Sequence, residues 1–231
     1  MAFLVCGGFG GESGLRKLGL CGIHPLTRRY KPEECMDFTN RIKKEMSEGL
    51  IKALLVDAGY RVISSGIESI IRETECLEKE QFYRLGFSKA LTSMPDYIVM
   101  DKAQTEMHII DVKYRKNWTA SLLNDVHDQV ELMGKLTLVC FNANPPSTSG
   151  AASAGTFLRC CELKICEGKY LVHKYQSGVF EWVEVSTIIN DPDAWYRLAP
   201  MQKVFSKLQV RGEDLTLTQA VASMTTIFEN F

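Results

Sequence analysis

The stretch MPDYIVMDKAQTEMHIIDVKYRKN, residues 94–117, holds two short apolar runs on either side of a polar turn. This pattern predicts an antiparallel β-hairpin. Side chains two residues apart in a strand share a face, so Ile110 and Val112 point to one side of the sheet. Asp111 and Lys113 then point to the other side. An acid and a lysine therefore share one face of a strand that is otherwise apolar.

A turn centred in DKAQT sets Asp96 roughly opposite Asp111. Two carboxylates about 4 Å apart repel each other by several kcal/mol at an intermediate dielectric. A divalent cation offsets this repulsion better than Lys113 alone, and carboxylate oxygens suit Mg²⁺ or Mn²⁺. A metal there can bind a phosphate and activate a water, while the lysine stabilises developing charge. A surface ion pair is the alternative interpretation of the Asp111–Lys113 spacing.

The flanking sequence predicts an α/β architecture. Residues 33–58 repeat apolar side chains at helical spacing, and a strand at YRVISSG and a helix over residues 67–81 follow. After the hairpin, residues 119–135 have a helical pattern and LTLVCFNA is a fully apolar strand. Three more strand-like runs and a terminal helix, DLTLTQAVASMTTIFENF, complete the order. We therefore expect a mixed β-sheet flanked by helices.

The length of 231 residues fits one large domain or one domain with appendages. We divide the chain into an irregular glycine-rich arm at 1–32, a core at 33–145, and a C-terminal extension at 146–231 that packs on the core. The arm contains GGFGGESG, but Ser13 stands where the third glycine of a dinucleotide-binding loop belongs. A nucleotide loop is therefore not expected.

The composition narrows the class of protein. A net charge of −1 excludes an overall basic surface, so nucleic acid would bind through a local patch. None of the eight cysteines forms a CxxC pair, so we expect reduced thiols, many of them buried, in an intracellular protein. The start, MAFLVCGG, is too short for a signal peptide or a membrane span. Basic residues cluster at Arg28, Arg29 and Lys31, at Arg41, Lys43 and Lys44, and at Lys113, Arg115 and Lys116.

The motif Pro95-Asp96 followed by Asp111-Val112-Lys113 resembles the signature of the PD-(D/E)xK nuclease superfamily. The helix-to-strand segment EGLIKALLVDAGYRV is similar to the opening of archaeal-type Holliday junction resolvases, which belong to that superfamily. The resemblance covers about residues 45–142 and implies a restriction-endonuclease-like core. It also implies that Asp96, Asp111 and the backbone carbonyl of Val112 bind the metal, and that Lys113 is the catalytic lysine.

The same resemblance assigns roles to two helices. It places a metal-binding glutamate, directly or through water, on the helix before the first strand. The spacing to Gly59 favours Glu48 for this role, and the apolar arc of the helix favours Glu45. Many members carry a catalytic glutamine on the next helix, often as QxxxY. Gln129 matches the first position, and Met133 replaces the tyrosine.

Tyr114, Arg115, Lys116 and Trp118 follow the second strand directly. Basic residues interleaved with aromatics suit contacts with a nucleic-acid backbone and stacking on unpaired bases. The alternative is a solvated strand end with Trp118 packed on the core.

The sequence thus predicts a Mg²⁺- or Mn²⁺-dependent endonuclease that hydrolyses phosphodiester bonds, with DNA favoured over RNA and no membrane partner. A twofold homodimer is suggested by analogy, because duplex and branched DNA offer two strands. Two alternatives stay open. One is a nuclease-like module that binds nucleic acid or protein without cutting, and the other is an RNA-directed endonuclease with the same core.

Overall fold

The computed structural model of the chain describes residues 34–72, 79–115, 120–142, 157–188 and 197–209, with isolated positions at 74, 77, 219, 223 and 226. The chain divides into two units, Met1–Phe38 and Thr39–Phe231. The first unit is described only from residue 34, where a helix begins. The predicted arm at 1–32 and the loop at 144–155 lie outside the described residues, and the terminal helix does so except at three isolated positions.

The first half of the described chain mixes helices and strands, and the second half consists mainly of strands. None of the described helices is long and apolar enough to cross a membrane. Short 3₁₀ turns lie at Val185–Thr187 and Ser206–Gln209. The other elements are α1 (Glu34–Asp57), β1 (Arg61–Ser64), α2 (Ile67–Ile70), α3 (Lys79–Arg84), α4 (Lys89–Thr92), β2 (Tyr97–Met100), β3 (Met107–Tyr114), α5 (Ala120–Met133), β4 (Lys135–Phe141), β5 (Leu158–Cys166), β6 (Lys169–Gln176), β7 (Val179–Glu184), β8 (Ala199–Pro200) and α6 (Met201–Val204).

The described strands form one eight-stranded mixed sheet in the order β1-β2-β3-β4-β5-β6-β7, and β8 pairs with β5. Strands β3 and β4 run parallel, and the other neighbouring pairs are antiparallel. A parallel pair needs a long crossover, which α5 provides. The predicted mixed α/β fold class is confirmed. The described strands of the C-terminal extension belong to the same sheet.

The hairpin β2–β3 has the predicted register. Tyr97 pairs with Ile110, so the next position outward sets Asp96 against Asp111. At the other end, the Asp101 carboxylate accepts hydrogen bonds from the Thr105 amide at 2.7 Å and from the next amide at 3.0 Å. The turn is therefore closed by its own first side chain, which fixes the register of both strands.

Two apolar layers cover opposite faces of the sheet. On one face, Ile51 and Leu55 of α1 belong to a fully buried cluster with Ile110 of β3. On the other face, Val126 of α5 belongs to a second cluster with Leu138 of β4. The predicted helices at 33–58 and 119–135 are confirmed as α1 and α5, and each covers one face.

The cysteines with described side chains are free thiols. Cys140, Cys160 and Cys161 are buried in the two apolar layers, and Cys166 is exposed. The three buried thiols therefore act as small core residues, as the sequence predicted.

The prediction of one helix over residues 67–81 is wrong. Helix α2 ends at Ile70, and Ile71 leaves the helical region at φ −124° and ψ 88°. The Thr74 amide and hydroxyl both donate to the Ile71 carbonyl, at 3.0 and 2.6 Å, so a tight i→i+3 turn replaces the i→i+4 bond of a continuing helix. The next helix, α3, begins only at Lys79.

Neighbouring positions of α1 test the core assignment. Leu55 is fully buried, and Val56 is 52% exposed. We expect Leu55→Ala to lower the free energy of unfolding by about 2–5 kcal/mol, because it leaves a cavity. Val56→Ala should change it by less than about 0.5 kcal/mol. Chemical denaturation monitored by circular dichroism measures both, and equal effects would contradict the packing of α1 on the sheet.

Candidate metal centre

Asp96 and Asp111 meet where the β2–β3 hairpin opens. Asp96 lies just before β2, and its Oδ2 accepts a hydrogen bond from the Val112 amide at 2.7 Å. Asp111 is only 1% exposed. Burial, followed by the charges of Asp111 and Glu48, raises the pKa of Asp96 well above its usual range, although Lys113 and the Val112 amide oppose the shift. The partly buried Asp96 and the buried Asp111 therefore form an electrostatically unfavourable pair.

Two polar side chains hold the Asp111 carboxylate. Lys113 Nζ lies 2.8 Å from Oδ2, and Gln129 Nε2 of α5 donates to Oδ1 at 3.0 Å. Burial alone would lower the pKa of Lys113, but the charges of Asp111 and Asp96 raise it above the ordinary value. Lys113 is therefore an ammonium at neutral pH. The strand thus carries its acid and its lysine as a buried ion pair beside α5.

Helix α1 brings a third carboxylate, that of Glu48, to this end of the sheet. Burial, followed by the charges of Glu68 and Asp111, raises the pKa of Glu48, although Lys44 and Lys113 oppose the shift. The Glu48 side chain is 21% exposed. Glu45 is 53% exposed and pairs with Arg41 at 2.6 Å. The structure therefore places Glu48 rather than Glu45 beside the buried acids.

The donor atoms of this centre suit a hard divalent cation. Among the described residues, Glu48 Oε1 and Gln129 Oε1 are buried and accept no hydrogen bond, and the buried Asp111 Oδ2 is met by the Lys113 ammonium. A buried oxygen without a hydrogen bond costs free energy, and these three oxygens lie on residues of one site. Carboxylate and carbonyl oxygens are the ligands that Mg²⁺ and Mn²⁺ prefer. The residues present therefore fit the predicted metal.

The Val112 carbonyl lies on the edge of β3 that faces Asp96. The N–H and C=O of one strand residue project to the same edge of the strand. The Val112 amide points towards Asp96, because it donates to that carboxylate. The carbonyl consequently shares this edge, as its predicted role as a ligand requires.

The predicted nucleic-acid contacts lie at the end of β3. The Tyr114 ring lies 6.0 Å from that of Phe141, and Lys43 Nζ lies 5.6 Å from its centroid. Arg115 pairs with Asp125 at 3.0 Å and is 40% exposed. Lys43 of α1 therefore lies near the Tyr114 end of β3. Lys116 and Trp118 lie outside the described residues.

Sequence reasoning did not include Lys44 and Glu68 in the site. Lys44 Nζ lies 3.6 Å from Glu48 Oε1 and 3.6 Å from Glu68 Oε1. The i,i+4 spacing of Lys44 and Glu48 on α1 was a signal that could have identified the lysine. Glu68 carried no such signal, because its position depends on how early α2 starts and ends.

A second group of possible ligands, His127, Asp128 and Glu131, lies on the exposed side of α5. Lys89 Nζ already lies 2.9 Å from Asp128 and 3.5 Å from Glu131. This group is therefore an exposed ion-pair cluster in which Lys89 offsets part of the negative charge. It lacks the burial that distinguishes the first site.

Comparison of the chain with protein-family models, curated proteins and solved structures finds no match.

Asp96→Asn tests the electrostatic strain. The amide keeps an acceptor for Val112 and removes one buried charge, so we expect greater stability than wild type at neutral pH, by on the order of 1 kcal/mol without divalent cations. The raised pKa of Asp96 fixes the sign: its ionised form is penalised by folding, so the advantage is absent below the ordinary carboxyl pKa. The advantage grows as pH rises to the raised pKa and then stays constant.

Thermal unfolding in the presence of a chelator, from below the ordinary carboxyl pKa to neutral pH, measures the difference in stability between Asp96→Asn and wild type. Glu45→Gln is the matched control, since Glu45 is exposed on α1 and should change stability little. A lower stability of Asp96→Asn at every pH would contradict the unfavourable pairing of the two acids.

Proposed function

We propose that the protein is a metal-dependent nuclease that hydrolyses phosphodiester bonds. One observation carries the proposal: three carboxylates, from Asp96, Asp111 and Glu48, converge with the ammonium of Lys113 at one end of the sheet. Such a group of buried like charges costs stability, and a catalytic metal site is a reason for retaining it.

The element order supports the restriction-endonuclease-like core that the sequence resemblance implies. An acid-bearing helix, α1, precedes β1, and the hairpin β2–β3 carries the PD and DxK residues. The glutamine-bearing helix, α5, and strand β4 follow. The assignment to the PD-(D/E)xK superfamily is part of the proposal.

Each residue has a role in the proposed reaction. Asp96, Asp111, Glu48 and the Val112 carbonyl would hold Mg²⁺ or Mn²⁺, which supplies an activated water and neutralises charge on the scissile phosphate. Gln129 is a positioning residue, because its amide donates to Asp111 and fixes the carboxylate plane.

Lys113 acts as a donor in this scheme. Its pKa is raised, so it carries its proton at neutral pH and does not serve as a general base. Its side chain is 24% exposed, which leaves the ammonium within reach of an incoming phosphate. Lys113 would stabilise negative charge that develops on the phosphate oxygens or hold the attacking water.

The packing of Tyr114 favours contact with the phosphate backbone over base stacking. Its ring lies between Phe141 and the ammonium of Lys43, and burial raises the pKa of its hydroxyl. Lys43 and Arg115 would then supply sequence-independent contacts with phosphates. The proposal that DNA is the substrate rests on the sequence resemblance alone. The proposal of a twofold dimer rests on analogy alone.

A cleavage assay tests the proposal. We expect wild type to cut one or more of supercoiled plasmid, single-stranded DNA, RNA and a four-way junction with Mn²⁺ or Mg²⁺, and not with EDTA. Lys113→Ala should lower the rate by about 100-fold or more, because it removes charge stabilisation in the transition state. The rates on the four substrates would also separate a DNA nuclease from an RNA nuclease.

Lys174→Ala is the matched control. Lys174 also lies on a strand of this sheet, is 20% exposed, and pairs with Glu181. The Lys174→Ala variant should cleave at the wild-type rate. Equal rates for wild type and Lys113→Ala would contradict the proposed site, and no cleavage of any substrate would favour a binding module.

Metal binding gives a readout that is independent of substrate. We expect Mn²⁺ to raise the midpoint of thermal unfolding of wild type, since a ligand present at 100 times its dissociation constant stabilises by about 2.7 kcal/mol. Asp111→Asn should abolish the shift. A Mn²⁺ shift that persists in this variant, and disappears instead in Asp128→Asn, would move the metal to the exposed cluster on α5.

A further inference from the structure

Lys44 occupies an unusual place at the proposed metal centre. Its ammonium lies 3.6 Å from Glu48 Oε1 and equally far from Glu68 Oε1, so it lies between two carboxylates without a short bond to either. The lysine and Glu68 are 52% and 46% exposed, whereas Glu48 is 21% exposed. Lys44 is thus a loosely held cation at the rim of a buried acidic site.

The two lysines of the centre differ in how firmly they are held. Lys113 is 24% exposed and lies 2.8 Å from Asp111, which is itself 1% exposed. Lys44 is half exposed and lies 3.6 Å from each of its partners, of which Glu68 is half exposed and Glu48 is mostly buried. A divalent cation that binds Glu48 would repel both ammonium groups, and Lys44 is the one that is free to move.

Glu68 offers the place to which Lys44 can move. It lies in the first turn of the short helix α2 and is more exposed than Glu48, at 46% against 21%. The lysine side chain is flexible. A small rotation would move its ammonium from a position between Glu48 and Glu68 to an ion pair with Glu68 alone.

We propose that Lys44 is the resident counter-cation of Glu48, which a divalent metal must displace onto Glu68 before the proposed site is complete. This inference rests on the proposed metal-dependent function. Lys44 is a positioning residue here, because it acts on the metal through Glu48. The affinity of the site for metal is then held down by a charge within the protein.

Mn²⁺ titration calorimetry on the full chain, at one fixed pH, tests the inference. Lys44→Met keeps the length of the side chain and removes the charge. We expect it to bind Mn²⁺ about threefold to tenfold more tightly than wild type, because no ammonium has to be displaced. Lys44→Arg keeps the charge and should restore an affinity near that of wild type.

Lys52→Met is the matched control. Lys52 lies on the same helix, four residues beyond Glu48 as Lys44 lies four before it, but its ammonium donates to Ser64 Oγ at 3.0 Å. Its replacement should leave the affinity for Mn²⁺ unchanged. Tighter binding in this variant too would show a general charge effect and would overturn the specific role of Lys44.

Glu68→Gln provides an independent arm. This variant lacks the second carboxylate that pairs with Lys44, so Lys44 pairs with Glu48 alone. Mn²⁺ should therefore bind to it more weakly than to wild type. In the Lys44→Met background the same change should weaken binding less, because the displaced lysine is absent. Equal effects in both backgrounds would overturn the proposed movement onto Glu68.

The failure of this inference and that of the proposed function have different signatures. If wild type binds Mn²⁺ and Asp111→Asn does not, but Lys44→Met has wild-type or weaker affinity, the inference is wrong and the metal site stands. If wild type binds no Mn²⁺, the metal site and the inference fall together.

Discussion

The hydrogen bond from the Val112 amide to the Asp96 carboxylate joins β2 and β3 where their backbone ladder stops. Asp96 lies one residue before Tyr97, and Val112 lies two residues after Ile110, the partner of Tyr97, so the position of the acid is tied to the register of the hairpin. A slip by one residue would turn Ile110 towards the α5 face and Asp111 into the apolar layer under α1. One backbone register therefore determines both how the core packs and where the carboxylates meet.

This register places carboxylates among closely packed side chains. The electrostatic cost of these charges therefore opposes the free energy gained by packing. Burial excludes water from Asp96 and Glu48 and raises the pKa of both. Lys113 and Gln129 contact Asp111, the most buried of the acids, and the charge of Lys113 offsets only part of the rise at Asp96 and Glu48. Folding buries the hydrophobic layers on both faces of the sheet. The free energy gained by this burial, over the large surface of the paired strands, offsets the electrostatic cost of the site.

The hairpin could be predicted because residues close together in the sequence determine it. Two apolar runs and the polar turn DKAQT fix the register, and alternation along β3 fixes the faces of Asp111 and Lys113. Glu48 could not be separated from Glu45 in the same way, since helical spacing does not show how α1 lies on the sheet. The prediction of one helix over 67–81 failed because the chain leaves the helical region at Ile71 and makes a tight turn to Thr74.

The parallel pairing of β3 with β4 has a consequence for how the molecule is made. These strands can pair only after α5 has crossed between them, and such non-local pairing forms later than a hairpin. Glu48 and Asp96 leave the ribosome before Gln129, so a growing chain carries the acids before it carries the residue that orients Asp111. We expect the oxygen cluster to exist only in the completed fold, so no translation intermediate presents the full set of oxygens.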